Sequence, residues 1–391
     1  MKKMFRNALL IAAILTAVQT VTTAQSIQIQ DVNTIITAVP FLRIAPDART
    51  GAMGDVGIAI SPDAQSMWAN ASKIAFAEDD MSVAVTYTPW LRALALRDVY
   101  LAYLSGYYKL DKMNAVGLSL RYFDLGSIQF TNENGDPLNT ANPREYEITG
   151  SYARKLSEKF SGAVGLKFIY SRLAVGNFGN QDFKPGSAVA GDVSMTYQDD
   201  MKVSGYDARL RLGLALTNLG TRITYTDNAE NRDFIPTNLG IGAALEMDID
   251  EYNTLVFALD VNKLMVPTPD TIDLEQDGIY DYKQVGTVDG LFSSFGDAPG
   301  GGIEEFREIM LSVGFEYWYN KQFAVRAGYY YEAATKGNRQ FFTTGIGLKY
   351  NVFGIDISYL VPTTNINNPL NNTLRFTLVF DMAAFAPEKV N

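Results

Sequence analysis

The chain has 391 residues and contains neither cysteine nor histidine. That pair of absences excludes a disulfide framework, thiolate or imidazole metal ligation, a cysteine nucleophile, a lipidated N-terminal cysteine, and any Ser-His or Cys-His catalytic pair. Positive charge is also short, with 33 Lys and Arg against 43 Asp and Glu for a net charge of -10. Phosphate contacts need a basic face, so nucleic acid is not an expected partner. Beyond the N-terminus no segment supplies the eighteen or so continuous apolar residues of a transmembrane helix. Aromatic residues, by contrast, are plentiful, at 22 Tyr and 22 Phe, while hydrophobic residues make up 47% of the chain and charged residues only 19%. So much apolar surface needs somewhere to go.

Lys2, Lys3 and Arg6 precede an apolar run from Ala8 to Val18, and small residues follow at Thr22, Thr23 and Ala24. This pattern predicts a cleaved secretory signal over residues 1–24, cut before Gln25, and hence an exported chain.

From residue 81 to 382 the sequence alternates with a period of two. Ala208, Leu210, Leu212, Leu214 and Leu216 point one way, with Arg209, Arg211, Gly213, Ala215 and Thr217 the other. Ile309, Leu311, Val313, Phe315, Tyr317 and Tyr319 likewise oppose Met310, Ser312, Gly314, Glu316 and Trp318. These segments run to roughly nine to twelve residues, the length a tilted strand needs to cross a bilayer, whereas soluble strands average nearer five or six. Small residues and scattered charges, among them Arg121, Lys167, Asp260, Glu316, Arg326, Lys349, Asp356 and Arg375, suit a crowded polar lumen behind a lipid-facing band. Tyr107, Tyr108, Tyr317, Tyr319, Tyr329 and Tyr350 fall near segment ends, as interfacial girdles do. Short connections, for example at residues 110–112, 200–204 and 351–352, alternate with long ones, the longest at residues 265–307. The expected fold is all-β, a transmembrane outer-membrane barrel of about fourteen antiparallel strands with short periplasmic turns and long extracellular loops.

Residues 25–80 lack the alternation, yet they carry Ile58, Ile60, Met67, Trp68, Ile74 and Phe76, which need burial. A plug inside the lumen satisfies that need, with a short helix expected between Asp31 and Ile44, broken at Pro40, and a C-terminal tail left over at residues 383–391. Within the segment, DARTGAMGDVGIAISPDAQSMWANASKIAF (residues 47–76) resembles the N-terminal hatch of FadL-like barrels, on Gly51, Gly54, Asp63, Trp68 and Asn70 together with Ala48, Met53, Ala64 and Ala71. It departs from that pattern at Ala71-Ser72, where those barrels have Pro-Ala. Over essentially the whole exported chain the sequence is similar to the PorV family, the FadL-like outer-membrane component of the type IX secretion system.

Long structured loops are usually functional, and residues 265–307 carry Leu291, Phe292, Phe295, Ile303 and Phe306, too apolar for a disordered tip. They suit either a partner-docking surface or a lid folded over the barrel mouth, with a helical turn expected after Gly302. Asp273, Glu275 and Asp277, with Asp281 further on, approach the spacing of calcium ligands around the turning Gly278, although Gln284 stands where a bidentate Glu belongs. An acidic solvated turn is the competing reading, and no other cofactor is expected. The inward charges suit mutual pairing better than a pore, and no local cluster names a nucleophile and its base, so no catalytic residue and no enzyme activity are expected.

The resemblance implies a non-enzymatic secretion component. Its partners would be the C-terminal signal domains of cargo proteins, the type IX translocon, the surface attachment complex including the sortase, and outer-membrane lipids or lipopolysaccharide. Passive FadL-type transport of hydrophobic small molecules and a part in lipopolysaccharide O-deacylation are the alternatives.

Overall fold

A strand with one apolar and one polar face can cross lipid only where its backbone groups pair on both sides, which requires a sheet closed on itself. The computed structural model describes residues 32–92, 96–131, 134–174, 176–178, 181–227, 232–270, 274, 280–363 and 373–382. The expected signal at residues 1–24 and the tail at residues 383–391 lie outside these. Fourteen antiparallel strands form one closed barrel in which each pairs with its neighbours in the chain. They are β1 (Met81–Pro89), β2 (Val99–Lys109), β3 (Asn114–Leu125), β4 (Arg144–Lys155), β5 (Phe160–Arg172), β6 (Gly186–Val203) and β7 (Tyr206–Gly220). The ring continues with β8 (Asn238–Asp248), β9 (Asn253–Leu264), β10 (Ile309–Tyr319), β11 (Phe323–Tyr331), β12 (Gln340–Tyr350), β13 (Phe353–Pro362) and β14 (Leu374–Asp381). Ser82 faces both Tyr107 and Asp381 across its two ladders, and that closes the ring.

The alternation settles which face looks out. In β7, Leu212 and Leu214 are exposed, while Arg211, Gly213 and Ala215 are covered; in β10, Leu311 and Val313 are exposed, while Ser312 and Glu316 are buried. Leu118, Leu166, Ile241 and Phe342 continue the apolar outer belt on other strands, and soluble monomers rarely leave large apolar patches in water. No helix among the described residues is long and apolar enough to cross a membrane. Tyr108, Tyr319 and Tyr350 stand exposed at the short-turn rim, where a girdle belongs. Tyr107 does not join them. As the immediate neighbour of Tyr108 it must face the other way, and it lies buried with its hydroxyl donating to the Asp79 carbonyl at 3.3 Å.

The hairpin of β6 and β7 differs from the sequence expectation. Its turn sits at Ser204 and Gly205, both at positive φ, rather than over residues 200–204. Lys159 and Arg209 hold Asp199 and Asp200, each at 2.6 Å, so these acidic residues extend β6 instead of turning it. Two short hairpins, Ile128–Thr131 with Pro137–Ala141 and Gly176–Phe178 with Gln181–Phe183, stand within connections read as plain loops.

Residues 33–80 contribute no strand to the barrel. The helix expected between Asp31 and Ile44 is absent from residues 33–39; Pro40 opens a 3₁₀ turn, Pro40–Arg43, after Val39 at positive φ. Proline lacks the N–H that a first turn leaves unpaired anyway, so it starts this turn rather than breaking one. Next come α1 (Ala48–Ala52), capped by the Asp47 carboxylate, and two 3₁₀ helices, Ala64–Met67 and Ala71–Phe76, capped by Asp63 and Asn70.

Candidate functional site, a filled lumen beneath an ordered apolar loop

The lumenal segment begins at the long-loop end of the barrel. The Asn33 N–H donates to the Thr335 carbonyl at 3.0 Å and the Ala38 N–H to the Phe234 carbonyl at 2.9 Å, both acceptors lying in long connections. Val39, Phe41 and Leu42 pack among Trp90, Val99, Leu101 and Tyr103, from the same end of β1 and β2. Burial of each such side chain is worth about 1.5–3 kcal/mol. The Arg121 guanidinium, fully buried on β3, donates to the carbonyls of Phe41, Leu42 and Ile44 at 3.0–3.2 Å, and its charge is met by Glu147 at 3.0 Å.

The chain then descends to the short-turn end, making contacts around the whole ring. The glycines permit its closest approaches. A Cβ on Gly51 would meet the Arg375 guanidinium at 2.5 Å, and one on Gly54, which has φ of 68°, would meet the Tyr329 backbone at 2.6 Å. The N–H groups of Gly57 and Ile58 donate to Asp260 on β9 at 2.7 and 2.9 Å. Asn70 binds the Ile58 carbonyl at 2.8 Å and the Thr196 hydroxyl of β6 at 3.0 Å, while its own carbonyl oxygen accepts from the Ser72 N–H at 3.0 Å. Trp68 directs its indole N–H at the Leu42 carbonyl, 3.4 Å away.

Arg49 carries the charge of the segment to the barrel wall. It binds Asp63 at 2.8 Å, the Ser61 hydroxyl at 2.6 Å, and both oxygens of Glu316 on β10 at 2.9 and 3.1 Å. Glu316, fully buried, also receives Arg326 of β11 at 2.6 Å, and Arg326 continues to Asp356 of β13. The inward charges of the sequence thus form a lattice that crosses from the barrel wall into the segment. Two of the voids that such a lattice leaves share no lining residue. One of about 460 Å³ opens at the short-turn end beside Arg49, Arg211, Glu246, Trp318 and Lys349; the other, of about 80 Å³, lies toward the long loops beside Arg43, Asp55, Lys167, Asp260 and Arg339. The upper void is small, and charged groups line much of it.

Above it stands the connection between β9 and β10, ordered by three short helices: α2 (Asp281–Gln284), α3 (Thr287–Ser293) and α4 (Gly302–Arg307). Three carboxylates from one turn of chain pin it down. Glu304 takes Lys336, the Gly300 N–H and the Asn33 amide, the last at 3.1 Å; Glu305 takes the Ala298 N–H at 2.8 Å and Lys263 at 3.2 Å; Glu308, buried, takes Lys263, Lys336 at 2.9 Å and the Thr268 hydroxyl at 2.7 Å. Burial alone would raise the Glu304 carboxyl, but Lys336 and the donated N–H hold it below the usual range. Nearby, Glu332 ties Arg43 of the lumenal segment to Arg339, both at 2.7 Å; burial opposes its ionisation, and the two guanidiniums overcome that and lower it.

With Glu304, Glu305 and Glu308 engaged in these contacts, the loop leaves four of its large apolar side chains outside. Phe292, Phe295, Ile303 and Phe306 are 70, 55, 73 and 74% exposed, and Leu291 is half-buried. These four side chains face solvent. Of the suggested calcium ligands, Asp273, Glu275 and Asp277 lie outside the described residues; Asp281 opens α2 and accepts from the Leu274 N–H at 3.2 Å. Sequence reasoning missed Asn33, Arg43, Glu304, Glu308 and Lys336. Their partners lie far along the chain, and only the charge-rich run from Glu304 to Glu308 beside the glycines gave a local sign.

No curated protein matches the chain. Among solved structures it is similar to the toluene transporter TbuX of Ralstonia pickettii, at 10% identity and a TM-score of 0.48 over 86% of this chain and 97% of that one. It is also similar to the toluene transporter TodX of P. putida, at 11% identity and 0.47 over 86 and 96%, and to a FadL homologue of Pseudomonas aeruginosa, at 11% and 0.46 over 89 and 99%. Likenesses of this size carry no inference about what the barrel binds. The family model for the type IX secretion system protein PorV matches residues 27–271, more than half of the sequence, and the chain belongs to that family.

Proposed function

We propose that the chain is a non-enzymatic, integral outer-membrane component of the type IX secretion system that binds the C-terminal signal domain of cargo proteins. On this reading it carries them from the translocon to the surface attachment complex and its sortase. The observation that supports this most is the pairing of a filled lumen with an exposed apolar loop. The barrel holds the protein in the membrane, its long loops outside the cell, and binding falls to Phe292, Phe295, Ile303 and Phe306, exposed on a scaffold of buried ion pairs. Preorganised aromatic anchors of this kind dominate protein interfaces. Transport of hydrophobic molecules has less support, because the void on the loop side is only about 80 Å³ and Arg43, Asp55, Lys167 and Asp260 line it. Replacing the four exposed residues with serine tests the reading by co-purification with a tagged cargo C-terminal domain. Loss of the cargo with the barrel still folded is expected; full retention would remove the loop from the function.

A further inference from the structure

The N-terminal segment does more than fill the barrel. At its leading end Asn33 donates from its side chain to Glu304 of α4, and from its backbone to Thr335 in the next long connection, while Lys336 closes on the same Glu304. Arg43, ten residues on, holds Glu332. Residues 33–43 therefore strap together two long connections. Three residues after Asn33, Ile36 is 66% exposed, although its neighbour Ile35 is buried with Phe234, Val266 and Met310. Ile303 and Phe306 flank Glu304 in sequence and are also open to solvent.

We infer that the strap Asn33–Arg43 lies at the outer surface of the cell and completes the docking face, with Ile36 joining Ile303, Phe306, Phe292 and Phe295 as anchors, and Asn33 and Arg43 acting as positioning residues. This rests on the docking reading above and names a second piece of chain that takes part in it. The size of the face argues for a folded protein as occupant. Five large apolar side chains at these exposures offer on the order of 600 Å², close to the roughly 800 Å² that one partner contributes to a standard protein interface. A lipid occupant fits poorly, because the face stands on the barrel mouth among Glu304, Glu305 and Arg307 rather than on the outer apolar belt. The partner is a cargo C-terminal domain that presents apolar surface outside the membrane.

The natural absence of cysteine makes the placement directly testable. On intact cells, Ile36→Cys is expected to react with a membrane-impermeant maleimide as Phe306→Cys does, whereas Glu251→Cys, in a short turn, reacts only after permeabilisation. Labelling of Ile36→Cys only after permeabilisation would overturn the placement. For the docking role, Ile36→Glu and Ile303→Glu are each expected to lower capture of a tagged cargo C-terminal domain by about tenfold, as loss of one interface anchor does. Asn33→Ala is expected to lower it less, with rescue by Asn33→Gln. If Ile303→Glu and Phe306→Glu lose cargo while Ile36→Glu keeps it, the strap has no part in docking and the docking reading survives. Full capture by all three variants would end both. Retained cargo with loss of co-purifying lipopolysaccharide would assign the face to lipid and overturn the inference.

Discussion

Glu316→Gln probes how the lumenal segment is held. Glu316 is fully buried on β10 and its two oxygens receive Arg49 of the segment and Arg326 of the wall. Removing one partner of a buried pair costs about 3–5 kcal/mol when the remaining charge is stranded. Here the stranding is incomplete. Arg49 keeps Asp63 and Ser61, Arg326 keeps Asp356, and the void of about 460 Å³ beside them admits water. A loss of about 2–3 kcal/mol follows, which is a shift of roughly thirty- to 150-fold in the equilibrium for local opening of the segment. Hydrogen exchange in micelles, read by mass spectrometry, measures this directly: amides of residues 47–77 are expected to exchange faster by that factor, with β10 and β11 unchanged. Equal acceleration of both strands would mean that Glu316 stabilises the barrel wall, and unchanged exchange throughout would mean that the lattice does not hold the segment at all.

Two other perturbations act on different parts of the same arrangement. Gly54→Ala places a side chain at positive φ, where an L-residue is disfavoured by about 1–2 kcal/mol, and drives its Cβ onto the Tyr329 backbone. It is expected to expose residues 47–77 to protease while the barrel keeps its heat-modifiable mobility, whereas normal protection would show that the close approach is dispensable. The Glu332 carboxyl is held below its ordinary value by Arg339 and Arg43 despite burial. Because the folded value is the lower one, its contribution is complete above the free-glutamate pKa of about 4.3 and declines as pH falls through the folded value. Protease cleavage within residues 33–43 is expected to rise on acidification below that range, and to lose this pH dependence in Glu332→Gln.

Most of the barrel is legible in the sequence because its cause is local. A period of two, sustained over β7 or β10, fixes both strand and outward face before any partner is known, and the alternation of short and long connections gives the strand pairing. The same logic misplaces Tyr107 only where a cluster of aromatics is read without its parity. The turn between β6 and β7 is hidden for a different reason: Asp199 and Asp200 look like turn residues until Lys159 and Arg209 are known to pair with them. The loop was visible as apolar, but not what orders it. Glu308 needs Lys263 and Lys336, and Glu304 needs Asn33 from the far end of the chain. No local pattern encodes contacts made only when a segment threads a closed ring.

Photo-crosslinking from position 306 in living cells bears most directly on the proposed role. With surface attachment blocked so that cargo accumulates on its carrier, a crosslinker replacing Phe306 is expected to yield an adduct containing the cargo C-terminal domain, and one replacing Leu214 on the outer belt is expected to yield none. Adducts of position 306 with lipid or with its own loops alone, under the same block, would contradict capture at this face.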